Sequence, residues 1–165
     1  MRYKNFNELI SNIKSRTKLS VCAIVGANDK QTLEAALMAY HDRIIIPYFI
    51  GNRPTIIRQL LEMGEDPDNF YIDDQSTLEK CAQEAVALAN AGKVDFIMKG
   101  QIETGLLMHV ILSKESDMRT GQLVSALSVM ETPFYHKLLF LSDAGICMYP
   151  DLEQKKCIIE NAVEA

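Results

Sequence analysis

The sequence predicts an α/β fold built on a parallel sheet. Short, uninterrupted apolar runs stand at 21–25, 44–50 and 94–98, and helix-period apolar patterns lie between them. Glycines or capping residues mark each change of period. A strand exposed on one face would alternate polar and apolar residues, whereas runs apolar throughout bury both faces, as happens when helices cover a parallel sheet. With 48% apolar and 24% charged residues over 165 positions, the chain can bury a substantial core without disulfide support.

The elements follow in order. Phe6, Leu9, Ile10 and Ile13 fall on one helical face, and the helix ends in the basic run 14–18. Val21 to Val25 is a buried strand closed by Gly26, and Asn28 or Asp29 caps the next helix, which presents Leu33, Ala36, Leu37 and Tyr40. The second strand, 44–50, contains Pro47, whose missing N–H argues for an edge position or a bulge. Asn52 and Pro54 start a helix that Gly64 stops. A brief strand at 70–72 precedes an Ala-rich helix capped by Asp73, Asp74 or Ser76 and stopped by Gly92. The strand 94–98 leads through a polar turn into an apolar helix at 104–112. Repeated β-α units imply parallel strands with right-handed crossovers. Beyond Leu112 the character changes: a polar stretch at 113–121 is followed by strand-like runs at 123–130 and 138–141 with Pro133 between them, consistent with an antiparallel pair. Asp151 caps a last helix that reaches Ala165 without a stop signal. The expected domains are 1–118 and 119–165, the second being only the start of a domain.

Several function classes are disfavoured. With 17 basic against 22 acidic residues, a net charge of −5, there is no Lys/Arg-dense stripe for nucleic acid. No apolar run approaches the length of a membrane span, and the segment from Met1 to Phe6 leads into an amphipathic pattern with no signal-peptide core. Cys22, Cys81, Cys147 and Cys157 fit no zinc or redox spacing and read as buried thiols of a reduced, cytoplasmic protein. His41, His109 and His136 lack metal-ligand spacing, so no metal site is expected.

Ligands of open parallel sheets bind beyond the carboxyl ends of the strands, which singles out the segments following each strand. Gly26-Ala27-Asn28-Asp29 is either a turn with a helix cap or a weak anion site. Lys99-Gly100, ahead of a helix starting at Thr104, combines a cation, a permissive backbone and unsatisfied N–H donors; the alternative is a lysine at the sheet rim with Thr104 as a cap. Arg119-Thr120-Gly121 can bind phosphate or belong to a solvated loop. Asp143 either braces the turn after its strand or faces a ligand. Spacing identifies no catalytic acid, base or nucleophile.

The run 98–104 (Met-Lys-Gly-Gln-Ile-Glu-Thr), Leu112 to Glu115, Arg119-Thr120-Gly121, 138–143 and Tyr149 to Leu152 together resemble the phosphate acetyl/butyryltransferase family, most closely its phosphate butyryltransferase branch. The resemblance runs along the whole chain but matches only the family's N-terminal half. It implies an α/β/α sandwich of the isocitrate/isopropylmalate dehydrogenase-like type, incomplete here. It also implies a dimer and reversible transfer of a short acyl group between coenzyme A and inorganic phosphate. Both are substrates, and no further cofactor or metal is implied. Lys99, Gly100, Thr104, His109, Arg119, Thr120 and Gly121 are the substrate-binding residues it implies, with His109 where the family usually has Arg. Two other readings are a non-catalytic module that binds acyl-CoA or acyl phosphate, and a flavodoxin-like regulatory domain. The second needs 123–141 to complete a single parallel sheet.

Overall fold

The computed structural model describes residues 3–165; Met1 and Arg2, where the reading of the N-terminus begins, lie outside them. Helix α1 (Phe6–Lys14) starts at Asn5, whose side chain accepts the Glu8 N–H, and belongs to a different compact unit from the strands that follow it. The larger unit is Arg16–Arg119, and the other joins the described residues up to Ser15 to Thr120–Ala165. The sequence places α1 with residues 1–118, but the structure groups it with the C-terminal segment. Backbone bonding explains the difference: Phe6 N–H donates to the Glu131 carboxylate at 2.8 Å, and Leu138 N–H donates to the Tyr3 carbonyl at 3.2 Å.

The larger unit contains β1 (Ser20–Val25), α2 (Lys30–His41), β2 (Ile45–Gly51), α3 (Arg53–Glu62), β3 (Tyr71–Asp74), α4 (Leu78–Asn90), β4 (Phe96–Lys99) and α5 (Thr104–Ile111). Its four strands form a parallel sheet in the order β3-β2-β1-β4. Side chains alternate across β1, so Cys22 and Ile24 pack with Leu33, Ala36, Phe49, Ile56 and Leu60 on the α2/α3 face. Ala23 and Val25 pack with Ile50, Cys81, Ala82, Ala85 and Leu107 on the α4/α5 face. Burial on both faces is why the strand runs carry no polar alternation. It also pushes the Cys22 thiol up to about 12, which leaves it inert as a nucleophile.

The expectation of an edge strand or bulge at Pro47 is not met: β2 lies inside the sheet, paired with β1 and β3. The carbonyl of Ile50 turns toward β1, accepting from Gly26 and Ala27, and that of Gly51 turns the other way, accepting from Gln75. By alternation Pro47 faces the β3 side, where pairing begins only at Tyr48 opposite Tyr71. Its missing N–H therefore breaks no ladder bond. The cap of α4 is Thr77, one residue beyond the expected candidates, and Asp29 rather than Asn28 caps α2.

In the smaller unit, β5 (Leu127–Met130) and β6 (Leu139–Ser142) pair antiparallel, as the Pro133 connection suggests, and α6 (Leu152–Glu164) opens with a capping box between Asp151 and Gln154. The flavodoxin-like alternative fails here, because these strands form their own two-stranded sheet. Asp143 braces the turn after β6: its carboxylate accepts the N–H groups of Cys147, Ala126, Ile146 and Gly145. Desolvation opposes ionisation, but these four donors outweigh it and hold the carboxyl below its ordinary range. All four cysteines are free. Among the described residues, no helix is long and apolar enough to cross a membrane.

Two predictions follow from this packing. A carboxyl with a depressed folded-state pKa contributes stability above its unfolded pKa and loses it as pH falls through the folded value. Thermal melts of wild type and Asp143→Asn should therefore differ at neutral pH and converge as pH falls from about 5 toward about 2; a constant difference across that range contradicts the bracing role. The second concerns Gly100, where an added Cβ would lie 2.8 Å from the Val25 carbonyl oxygen and 2.9 Å from that of Gly26. Gly100→Ala should lower unfolding stability by about 1–3 kcal/mol. Gly105→Ala in α5, where the added Cβ meets nothing within 4 Å, should be neutral or gain about 0.5–1 kcal/mol. Urea unfolding midpoints check both, and an unchanged midpoint for Gly100→Ala contradicts the close approach.

Candidate anion site at the sheet switch point

From β1 the chain moves outward through β2 to β3, then returns through α4 to place β4 on the other side of β1. The carboxyl ends of β1 and β4 thus flank the point where the winding direction reverses, the usual place for a ligand crevice in an open parallel sheet. Here the two strand ends are drawn together. Gly100 N–H donates to the Val25 carbonyl and Gln101 N–H to the Gly26 carbonyl, both at 2.9 Å. Gly26 has φ +72°, and a Cβ on it would sit 2.8 Å from the Gln101 carbonyl oxygen. Only glycine at both positions permits this approach.

Helices α2 and α5 both begin at this rim, and their N-termini differ. The Asp29 carboxylate seals α2, accepting the Thr32 N–H at 3.0 Å and the Thr32 hydroxyl at 2.6 Å. Desolvation works against its charge, yet the Thr32 hydrogen bonds prevail and hold the pKa below the ordinary range. That fixed negative charge already answers the helix dipole, so the N-terminus of α2 is capped and is not itself an anion cradle. Helix α5 has Glu103 at its N-cap position with no side-chain capping bond, which leaves the first N–H groups available.

Lys99 lies beside that open end. Its Nζ donates to the Gly100 carbonyl at 3.3 Å, leaving further donors, and among the described residues it forms no ion pair. Lys99, Thr104, Glu103, Gln101, Ile102, Leu78 and Asn28 line a cavity of about 500 Å³. A cation, a hydroxyl and the positive end of an uncapped helix make this a place for a phosphate-type anion. One carboxylate, Glu103, faces the same space.

The structure therefore brings Lys99 and Thr104 together, with Gly100 forming the rim and opening onto an adjoining cavity beside Asp29 to Thr32. His109 does not join them. Five positions along α5 turn it about 140° from Thr104, and it lines a separate cavity of about 390 Å³ with Glu79, Gln83 and Asn90 of α4. Arg119 is the last residue of the larger unit, while Thr120 and Gly121 open the smaller one, where Thr120 lines a cavity with Leu123 and Asn161. Asn28 also lines the cavity of Lys99 and Thr104, a residue that the sequence offers as a cap candidate or as part of a weak anion segment. Among the described residues no group of three His, Cys, Asp or Glu side chains could hold a metal ion.

The open α5 terminus yields a prediction of its own. Glu103→Asp keeps the charge but supplies a side chain short enough to cap, so it should raise unfolding stability by about 0.5–1 kcal/mol. Chemical denaturation checks this, and a loss of stability contradicts the assignment of α5 as uncapped.

The profile of the family described as phosphate acetyl/butaryl transferase matches residues 75–165, more than half of the chain. A phosphate butyryltransferase from Clostridium acetobutylicum is 35% identical over 161 residues, covering 98% of this chain and 53% of that protein. A phosphate acetyltransferase from Thermotoga maritima is 36% identical over 149 residues, covering 90% and 50% respectively. The crystal structure of a branched-chain phosphotransacylase from Enterococcus faecalis superposes with a TM-score of 0.71 at 23% identity, over 88% of this chain and 50% of that one. The chain thus spans about half the length of the curated relatives it matches. With its parallel α/β sheet and a family match over more than half of its length, the chain belongs to the phosphate acetyl/butyryltransferase family.

Proposed function

We propose that this chain carries the anion-binding part of an acyltransferase that moves a short, butyryl-like group reversibly between coenzyme A and inorganic phosphate. The observation that carries this reading is Lys99 beside the uncapped N-terminus of α5 at the switch point. In the acyl phosphate-forming direction, a phosphate oxygen forms a bond to the thioester carbonyl carbon. The carbon–sulfur bond then breaks, and the thiolate departs with the electron pair and takes up a proton. Lys99 and the α5 N–H groups hold the phosphate oxygens and offset charge as the tetrahedral oxyanion forms. Gly100 keeps the backbone close, and Thr104 adds a hydroxyl. His109, Arg119, Thr120 and Gly121 enter as substrate-binding residues on the family resemblance alone.

The whole enzyme is proposed as a dimeric, cytoplasmic α/β/α protein of the isocitrate/isopropylmalate dehydrogenase-like type. Leu152, Ile159 and Val163, strongly exposed along one side of α6, support a surface that other polypeptide covers. A second reading is a binding module without turnover. Release of coenzyme A from butyryl-CoA and phosphate, measured with the chain alone and with the C-terminal half of the Clostridium acetobutylicum relative added, separates the two. Turnover in either case supports the enzyme, whereas coenzyme A or butyryl phosphate binding without turnover in both supports the module. Failure to bind either contradicts both readings. Lys99→Met should weaken binding roughly 10- to 100-fold, the worth of a charged hydrogen bond.

A further inference from the structure

We infer that Asn28 is a further anion-binding residue of this site, presenting its side-chain N–H2 to the same phosphate-type group as Lys99 and the α5 terminus. The inference rests on the reading of the cavity as an anion site and adds a donor from the β1 side of the crevice. Asn28 lies three residues beyond the end of β1, is half-buried, and lines the same cavity as Lys99 at the end of β4 and Thr104 at the start of α5.

Its orientation is fixed from the β2 side. The side-chain oxygen accepts the Asn52 N–H at 2.7 Å, and the backbone carbonyl accepts the Gln59 amide at 2.9 Å. Gly51 makes room for this arrangement, since a Cβ there would lie 2.4 Å from the Asn28 oxygen. Both acceptors of Asn28 are therefore committed to β2 and α3. The amide nitrogen, on the far side of the same planar group, has no partner among the described residues. A residue used only to tie β2 to the rim needs an acceptor alone, and aspartate would serve as well. Asparagine adds a neutral donor where a carboxylate would repel the anion. The neighbouring Asp29 shows the division of labour, since its charge is spent on capping α2.

Calorimetric titration of the intact chain with coenzyme A and, separately, with inorganic phosphate tests this on wild type, Asn28→Asp and Asn28→Ala. Asn28→Asp keeps the acceptor for Asn52, so its melting temperature should match wild type while binding weakens at least about tenfold. Asn28→Ala carries no charge, so a loss of roughly three- to tenfold in that variant reports the missing donor and not repulsion. Loss of the acceptor for Asn52 lowers the melting temperature of Asn28→Ala under either role, so a purely structural role is distinguished by unchanged binding in both variants. Wild-type binding that neither substitution alters overturns the role of Asn28 and leaves the anion site standing. If wild-type chain binds neither probe, the reading of the site falls, and this inference falls with it.

Discussion

The close approach of β1 and β4 at their carboxyl ends is the constraint on which the rest of the larger unit depends. Two backbone hydrogen bonds, from Gly100 and Gln101 to the carbonyls of Val25 and Gly26, hold the strand ends at a distance that no Cβ would tolerate. The sheet reverses its winding direction at this same place, so the crevice that topology opens is narrowed by glycine. Lys99 and the start of α5 are brought to one side of it and Asn28 to the other. The hydrophobic cores on the two faces of the sheet make that rim rigid, because every inward residue of β1 from Cys22 to Val25 is fully buried.

Electrostatics then distinguishes two helix starts that topology alone would make equivalent. Both α2 and α5 begin at the rim with their dipoles aimed outward. Asp29 satisfies the donors of α2 and supplies a charge that repels a second anion. Glu103 leaves the donors of α5 open, since its side chain makes no capping bond, although its carboxylate faces the same cavity. The two termini are thus distinguished by the capping bond that Asp29 makes and the longer Glu103 side chain does not. The proposed acyl transfer to phosphate uses this arrangement to hold an anion still beside a polarised carbonyl.

Much of the larger unit is legible in the sequence because its strands are buried on both faces and its helices carry strong caps. Asn52 and Gly64 act where local chemistry places them, as Asp151 does in the smaller unit. What escapes is long-range. Pro47 looks like an edge residue until the register with β3 shows that its missing N–H faces no partner. The placement of α1 depends on contacts with Glu131 and Leu138, more than a hundred residues away, for which no periodicity gives a signal. In the site, Lys99 and Gly100 can be found by the strand-end rule. The separation of His109 needs the helical phase of α5, and Asn28 needs the bonds from Asn52 and Gln59 that aim it.

The proposed anion binds at α5 and not at α2. Backbone amide chemical shifts of the isotopically labelled chain, followed during titration with inorganic phosphate and then coenzyme A, test it most directly. Saturable shifts are expected at Thr104, Gly105 and Leu106, with the amides of Lys30 to Thr32 unmoved. Saturable shifts confined to Lys30 to Thr32, or none at either helix start, would contradict it.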